Sequence, residues 1–64
     1  MKMTIGQLSE HDDETFYILK DGVREYISVS HAFGDVYKIQ FYNVLSKLIM
    51  IFHVYKDTSL EVQA

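Results

Sequence analysis

The most regular pattern in the chain is a pair of β-rich runs joined by Asp21-Gly22. Thr15–Lys20 and Val23–Val29 are rich in aromatic and β-branched residues, which favour strands. Asp-Gly tolerates the positive φ angles of a two-residue type I′ turn, so the sequence predicts a β-hairpin over residues 15–29. Such a short loop fixes the register, and we expect one face of the hairpin to enter the core: Phe16, Ile18, Val23, Ile27 and Val29.

The opposite face of this hairpin carries Tyr17, Arg24 and Tyr26. The predicted register places the two tyrosines opposite each other, with Arg24 on the same face. Tyrosine and arginine are the residue types that dominate binding hot spots. We therefore take these three residues as candidates for partner binding. The alternative is that this face packs beneath the N-terminal strand.

Within the ambiguous stretch 36–42, residues 37–41 alternate between large apolar and polar side chains. This period of two predicts a third strand with one buried face. Ser30–Asp35 changes the pattern and contains a glycine, so it predicts a connection. The alternating positions are Tyr37, Ile39 and Phe41 on one side and Lys38 and Gln40 on the other.

Residues 40–57 fit a helical period better than a period of two. Asn43 is a suitable N-cap, so the pattern predicts an amphipathic helix over about residues 44–56. One half of its helical wheel is apolar, and this half exceeds what a small sheet can cover, so Phe52 and Tyr55 are further candidates for partner binding. The apolar half consists of Phe41, Val44, Leu45, Leu48, Ile49, Ile51, Phe52 and Tyr55.

A strand is the competing interpretation of this stretch. Its β-branched and aromatic residues favour extended structure, and Leu48–Phe52 has the composition of a fully buried strand. We favour the helix because a hairpin through residues 36–55 would have to place Val44 and Leu45 in its loop.

The two ends of the chain carry weaker signals. Residues 1–8 fit a weak strand or a single helical turn, and of the two we expect an edge strand, followed by an acidic loop over residues 10–14. Ser59–Gln63 should add a last short strand. The predicted fold class is α+β: one small domain over residues 1–64, with a hairpin-based antiparallel sheet covered by one amphipathic helix. The alternative is an all-β five-stranded barrel.

Composition narrows the functional classes. A chain of 64 residues is marginal in size, and without cysteine it has no disulfide to reinforce it, so self-association becomes the expected remedy. A net charge of −3 offers no basic field for the phosphates of a nucleic acid. No segment reaches the ~20 apolar residues of a membrane span, and we expect a soluble, cytoplasmic protein with no membrane partner.

Candidate chemistry is sparse. His11, Asp12, Asp13 and Glu14 could ligate a metal, but adjacent loop residues do not converge easily on one ion, and their spacing matches no calcium or zinc pattern. His31 lies near Ser28, Ser30 and Asp35 without a motif that pairs a nucleophile with a base. We expect no cofactor, no metal and no enzymatic activity.

The expected function is that of a small non-catalytic protein-binding module. We interpret it as a regulatory inhibitor or adaptor that blocks a larger protein, and we expect a phage or other mobile element to encode such a chain. Two alternatives stay open at this point. One is a small β-barrel that binds a peptide or single-stranded nucleic acid, and the other is a homodimeric structural subunit.

Overall fold

The computed structural model describes residues 1–11 and 16–64, and strands predominate in it. The elements are β1 Lys2–Thr4, α1 Ile5–Ser9, β2 Tyr17–Lys20, β3 Val23–Phe33, β4 Val36–Tyr42, β5 Leu48–Tyr55 and β6 Ser59–Glu61. Strands β2 to β5 form one antiparallel sheet in the order β2-β3-β4-β5, and β1 pairs with β6 in a second, two-stranded sheet.

The predicted hairpin is confirmed in its register. β2 and β3 pair as expected, from Lys20 opposite Val23 at the turn to Tyr17 opposite Tyr26. Asp21 and Gly22 both have positive φ, 53° and 78°, as a type I′ turn requires. Thr15, the first residue of the predicted hairpin, lies outside the described residues, as do Asp12, Asp13 and Glu14 of the predicted acidic loop.

The third strand is also confirmed, but the connection before it is shorter than predicted. β3 continues to Phe33, so only Gly34 and Asp35 separate it from β4. A register shift between His31 and Phe33 accommodates the end of this long strand. Ser30 and His31 of the predicted connection are therefore part of the sheet, because cross-strand pairing with Lys38 and Tyr37 of β4 outweighs their weak strand propensity.

The predicted helix over residues 44–56 is wrong, because Leu48–Tyr55 forms strand β5 beside β4. The loop of the β4-β5 hairpin does contain Val44 and Leu45, both exposed. The side-chain oxygen of Asn43 accepts hydrogen bonds from the N–H groups of Leu45 and Lys47 at 2.9 and 3.0 Å. This side chain thus organises the loop between two strands, instead of capping a helix.

The helix of this α+β fold lies at the N-terminus, where the sequence predicted an edge strand. Only Lys2–Thr4 is extended there, and Ile5–Ser9 forms α1. Thr4 and Gln7 form a capping box: the N–H of Gln7 donates to Thr4 Oγ1 at 3.1 Å, and the N–H of Thr4 donates to Gln7 Oε1 at 2.9 Å. A single helical turn is the alternative that the sequence leaves open for this segment, and the five residues of α1 are too short a pattern for periodicity to decide between the two.

The C-terminal strand is confirmed and joins the two sheets. β6 pairs with β1, with Leu60 opposite Met3. Beyond β6, the backbones of Tyr17 and Gln63 exchange two hydrogen bonds of 2.8 and 2.9 Å. The edge of β2 near Tyr17 is therefore paired with the C-terminus, and the four-stranded sheet is open within the described residues, which contradicts the barrel alternative.

The core lies between one face of the four-stranded sheet, here called the inner face, and the N- and C-terminal segments. Ile39 of β4 is 2% exposed, and Ile18, Ile27 and Val29 pack against the same cluster from β2 and β3. Val23, predicted to be buried, is exposed beside the hairpin turn. The fully buried cluster is Met3, Ile5, Leu8, Phe16, Ile39 and Val62. No helix among the described residues is long and apolar enough to cross a bilayer.

Candidate functional site

Three tyrosines form a row across the face of the sheet that points away from the core, here called the outer face. Tyr17 of β2 lies opposite Tyr26 of β3, and Tyr26 lies opposite Tyr42 of β4. Side chains alternate along a strand, and Ile27 and Phe41 pack on the core, so their neighbours Tyr26 and Tyr42 face outward. We call Tyr17, Tyr26 and Tyr42 the tyrosine row.

Arg24 extends the tyrosine row with a cationic group. Its guanidinium carbon lies 4.5 Å from the ring centroid of Tyr17, and the rings of Tyr17 and Tyr26 meet edge to face at 5.7 Å. A hydrogen bond with the Tyr26 side chain, followed by the charge effects of Tyr17 and Tyr26, raises the pKa of Arg24 above its usual value. The guanidinium is thus charged at any ordinary pH, and it is held over an aromatic ring while remaining exposed.

The surroundings of the tyrosine row are polar and cationic. Arg24 and Lys38 are the charged residues that alternation places on the outer face of the described strands β2 to β4. An open groove runs beside the row, lined by Tyr26, Ser28, Tyr42, Asn43, Val44 and Ser46. This arrangement offers aromatic area, hydrogen-bond donors and positive charge on one face of a chain whose net charge is −3.

The structure brings together Tyr17, Arg24 and Tyr26 as the sequence predicted, and it adds Tyr42. The sequence does not bring Tyr42 to this group, because the Asp21-Gly22 turn sets only the register of β2 against β3, whereas the register of β3 against β4 depends on where the turn at Gly34 falls. The available signal was the alternation of residues 37–41, which places Tyr42 on the polar side of its strand when it is continued by one residue.

Phe52 and Tyr55 lie on β5, apart from the tyrosine row. Phe52 is opposite Ile39 and faces the inner side, where its ring meets that of Phe41 edge to face at 6.1 Å. Tyr55 is opposite Val36 and lies three residues further, on the other face of the strand. Both are strongly exposed, at 47% and 68%. These two predicted residues therefore belong to the edge of the sheet and form no joint site with Arg24.

A small apolar cleft opens on the inner face beside Phe52. Its volume is about 170 Å³, and it lies where the terminal segments no longer cover the sheet. Lys20 and Glu25 supply its charged rim. The lining is completed by Ile18, Phe41, Ile49, Met50 and Phe52.

The polar residues considered for catalysis do not converge. His31 Nε2 lies 2.8 Å from the carbonyl oxygen of Gly34, and its ring meets Tyr37 edge to face. It therefore stabilises the β3-β4 turn on the face opposite to that of Ser28 and Ser30. Asp35 pairs with Lys56 at 3.5 Å. Among the described residues no group of three or more acidic, histidine or cysteine side chains is placed to hold a metal.

Comparison with known proteins adds no relative to these observations. No protein-family model, curated protein or solved structure is a significant match to this chain.

Proposed function

We propose that this chain is a small non-catalytic protein-binding module that uses the tyrosine row and Arg24 to cover part of a larger protein, as an inhibitor or adaptor does. The observation that carries the proposal is the stacking of the exposed Arg24 guanidinium on Tyr17 beside Tyr26. Tyrosine supplies much contact area with only two rotatable side-chain bonds, so it loses little conformational entropy on binding, and the guanidinium of Arg24 is already held over the ring of Tyr17.

The chemistry of the surface favours a partner with carboxylates beside apolar side chains. A guanidinium held in place by an aromatic ring can donate two parallel hydrogen bonds to one carboxylate. The tyrosines then offer ring faces to apolar groups and hydroxyls to polar ones. Single-stranded nucleic acid also stacks on tyrosines, but Arg24 and Lys38 are a sparse set of cations for a phosphate backbone, and the chain is acidic.

Capture with matched variants tests this proposal. Tagged protein is incubated with a nuclease-treated lysate of its source or host, alongside Arg24→Ala and Arg24→Lys, and the bound proteins are identified by mass spectrometry. We expect one stoichiometric larger protein with the wild-type chain and its loss with Arg24→Ala. Arg24→Lys is expected to retain part of the binding, because lysine keeps the positive charge but lacks the planar guanidinium that donates two parallel hydrogen bonds.

Ser30→Ala is the control, since Ser30 is an exposed residue of the same face outside the tyrosine row. It should capture as the wild type does. Equal capture by the wild type and Arg24→Ala would contradict the proposed surface. Capture that occurs in an untreated lysate and disappears in the nuclease-treated lysate would instead assign the tyrosine row to nucleic acid.

A further inference from the structure

Strand β5 is an exposed, apolar and uncharged sheet edge. Leu48–Phe52 consists of five large apolar side chains that are each 44–48% exposed. His53 is the sole titratable group between Leu48 and Val54. Natural edge strands are normally protected by charges, proline or short length, because an open edge is a template for another strand. β5 has eight residues and carries neither lysine nor proline.

The other edge of the same sheet is protected. β2 has four residues, ends at Lys20, and is paired at Tyr17 with Gln63. In the described residues, therefore, only the β2 edge is protected against pairing with another strand, and a further strand can pair with the sheet at β5.

The hydrogen bonds of β5 show which of its backbone groups face that open edge. The N–H of Lys56 donates to the carbonyl of Asp35 at 2.9 Å, which makes these two residues a hydrogen-bonded pair. Pairs of this kind alternate along an antiparallel ladder, so Val54 and Phe52 bond to β4. The N–H and C=O groups of Ile51 and His53 therefore point away from β4, and nothing in the described residues pairs with them.

We propose that a second copy of this chain occupies the edge, with the two β5 strands antiparallel and related by a two-fold axis at Phe52. In this register Ile51 of each copy lies opposite His53 of the other, so the outward backbone groups of both residues are satisfied. Phe52 then lies opposite its own copy in a non-hydrogen-bonded pair, where side chains approach most closely. The two sheets become one continuous sheet, and the apolar side chains of both edges are covered.

Charge at the two ends of β5 favours a copy of the same strand. Lys47 precedes the strand, whereas Asp57 follows it next to the Asp35–Lys56 ion pair. One end is thus positive and the other is negative. An antiparallel two-fold pairing brings each positive end to the negative end of the other copy, twice, and the uncharged centre brings no like charges together.

The two-fold arrangement also extends the proposed function, and this extension rests on the tyrosine row being a binding surface. A two-fold axis through paired antiparallel strands is perpendicular to the sheet, so both tyrosine rows lie on the same side of the dimer. Two identical binding surfaces on one face favour a bivalent partner or two copies of it.

Backbone-directed variants test the pairing by sedimentation analysis of the full chain over a range of concentrations. Wild type is expected at twice its 7.5 kDa monomer mass. His53→Pro removes an N–H that points away from β4, so it should keep the fold and leave a monomer. His53→Thr changes the side chain and keeps the N–H, and it should remain a dimer. A monomeric wild type, or a folded His53→Pro that still dimerises, would overturn the proposal.

A cysteine cross-link tests the register independently of how His53→Pro folds. The chain has no cysteine, so Phe52→Cys introduces a single thiol. At the two-fold axis, two such residues lie within the Cα separation that a disulfide requires. We expect near-complete disulfide dimer under mild oxidation for Phe52→Cys and little for Ser30→Cys, which is exposed on β3. Equal cross-linking of the two variants would overturn the register at Phe52. Neither test depends on partner capture, so failure of the dimer and failure of the binding surface are distinguishable.

Discussion

The guanidinium of Arg24 lies over the ring of Tyr17, with its central carbon 4.5 Å from the ring centroid. Both residues belong to the hairpin whose register Asp21-Gly22 sets, so a local turn determines the arrangement of a surface. Arg24 itself makes no ion pair in the described part of the chain and is exposed. Its guanidinium is therefore accessible from solvent, as the proposed binding surface requires.

We predict that Arg24→Ala leaves stability unchanged while it abolishes partner capture. Surface substitutions away from caps, turns and the core have small effects on the free energy of unfolding. The midpoint of urea denaturation, measured beside that of Ser30→Ala, checks this. A large drop in the midpoint for Arg24→Ala alone would show that the stacked pair holds the hairpin, and loss of capture would then no longer identify a binding residue.

The Asn43 side chain should determine the stability of the β4-β5 loop. Asn43→Ala removes the acceptor of the Leu45 and Lys47 N–H groups, and we expect a loss of about 1 kcal/mol in the free energy of unfolding. Asn43→Asp keeps an acceptor oxygen and should lose less. Urea denaturation of the three proteins gives the comparison. Equal stability of Asn43→Ala and wild type would mean that the strands close this loop without the side chain.

Replacement of two glycines, Gly22 and Gly6, by alanine should change the stability of the protein in opposite directions. Gly22 has a φ of 78° in the hairpin turn, so Gly22→Ala is expected to cost about 1 kcal/mol or more. Gly6 lies in α1, where an added Cβ would meet its nearest atom at an ordinary 3.6 Å. Gly6→Ala should therefore raise stability by roughly 0.5–1 kcal/mol, because alanine loses less conformational freedom in a helix. Thermal denaturation of both variants checks the pair, and shifts of the same sign would contradict it.

The sequence predicted best those elements that local chemistry determines. Asp21-Gly22 was sufficient for the first hairpin and its register, and alternation was sufficient for β4. Strand β5 could not be predicted in the same way, because a short apolar run fits both the helical period and the strand period of two. The helix was favoured because a hairpin would have to place Val44 and Leu45 in its loop. Val44 and Leu45 are exposed in a loop that the hydrogen bonds of the Asn43 side chain organise, and the hydrophobic pattern of the sequence does not reveal such bonds.

The candidate site was predictable to the same extent. Tyr17, Arg24 and Tyr26 share one hairpin, so the turn alone brings them together. Tyr42 joins the row through pairing between β3 and β4, and the register of that pairing depends on a connection that is shorter than the sequence predicted. The sequence pattern predicts Phe52 and Tyr55 as exposed apolar residues of a helix, whereas the structure places both on the edge strand β5. Their roles as binding residues stay predictions.

Amide hydrogen exchange along β5, measured by NMR at low and high protein concentration, tests most directly the claim that this strand is an open edge paired by a second copy. We predict slow exchange for Phe52 and Val54 at both concentrations, because their N–H groups bond to β4. Ile51 and His53 should be protected at high concentration and should exchange faster on dilution. Fast exchange of Ile51 and His53 at every concentration, beside a protected Phe52, would contradict the paired edge.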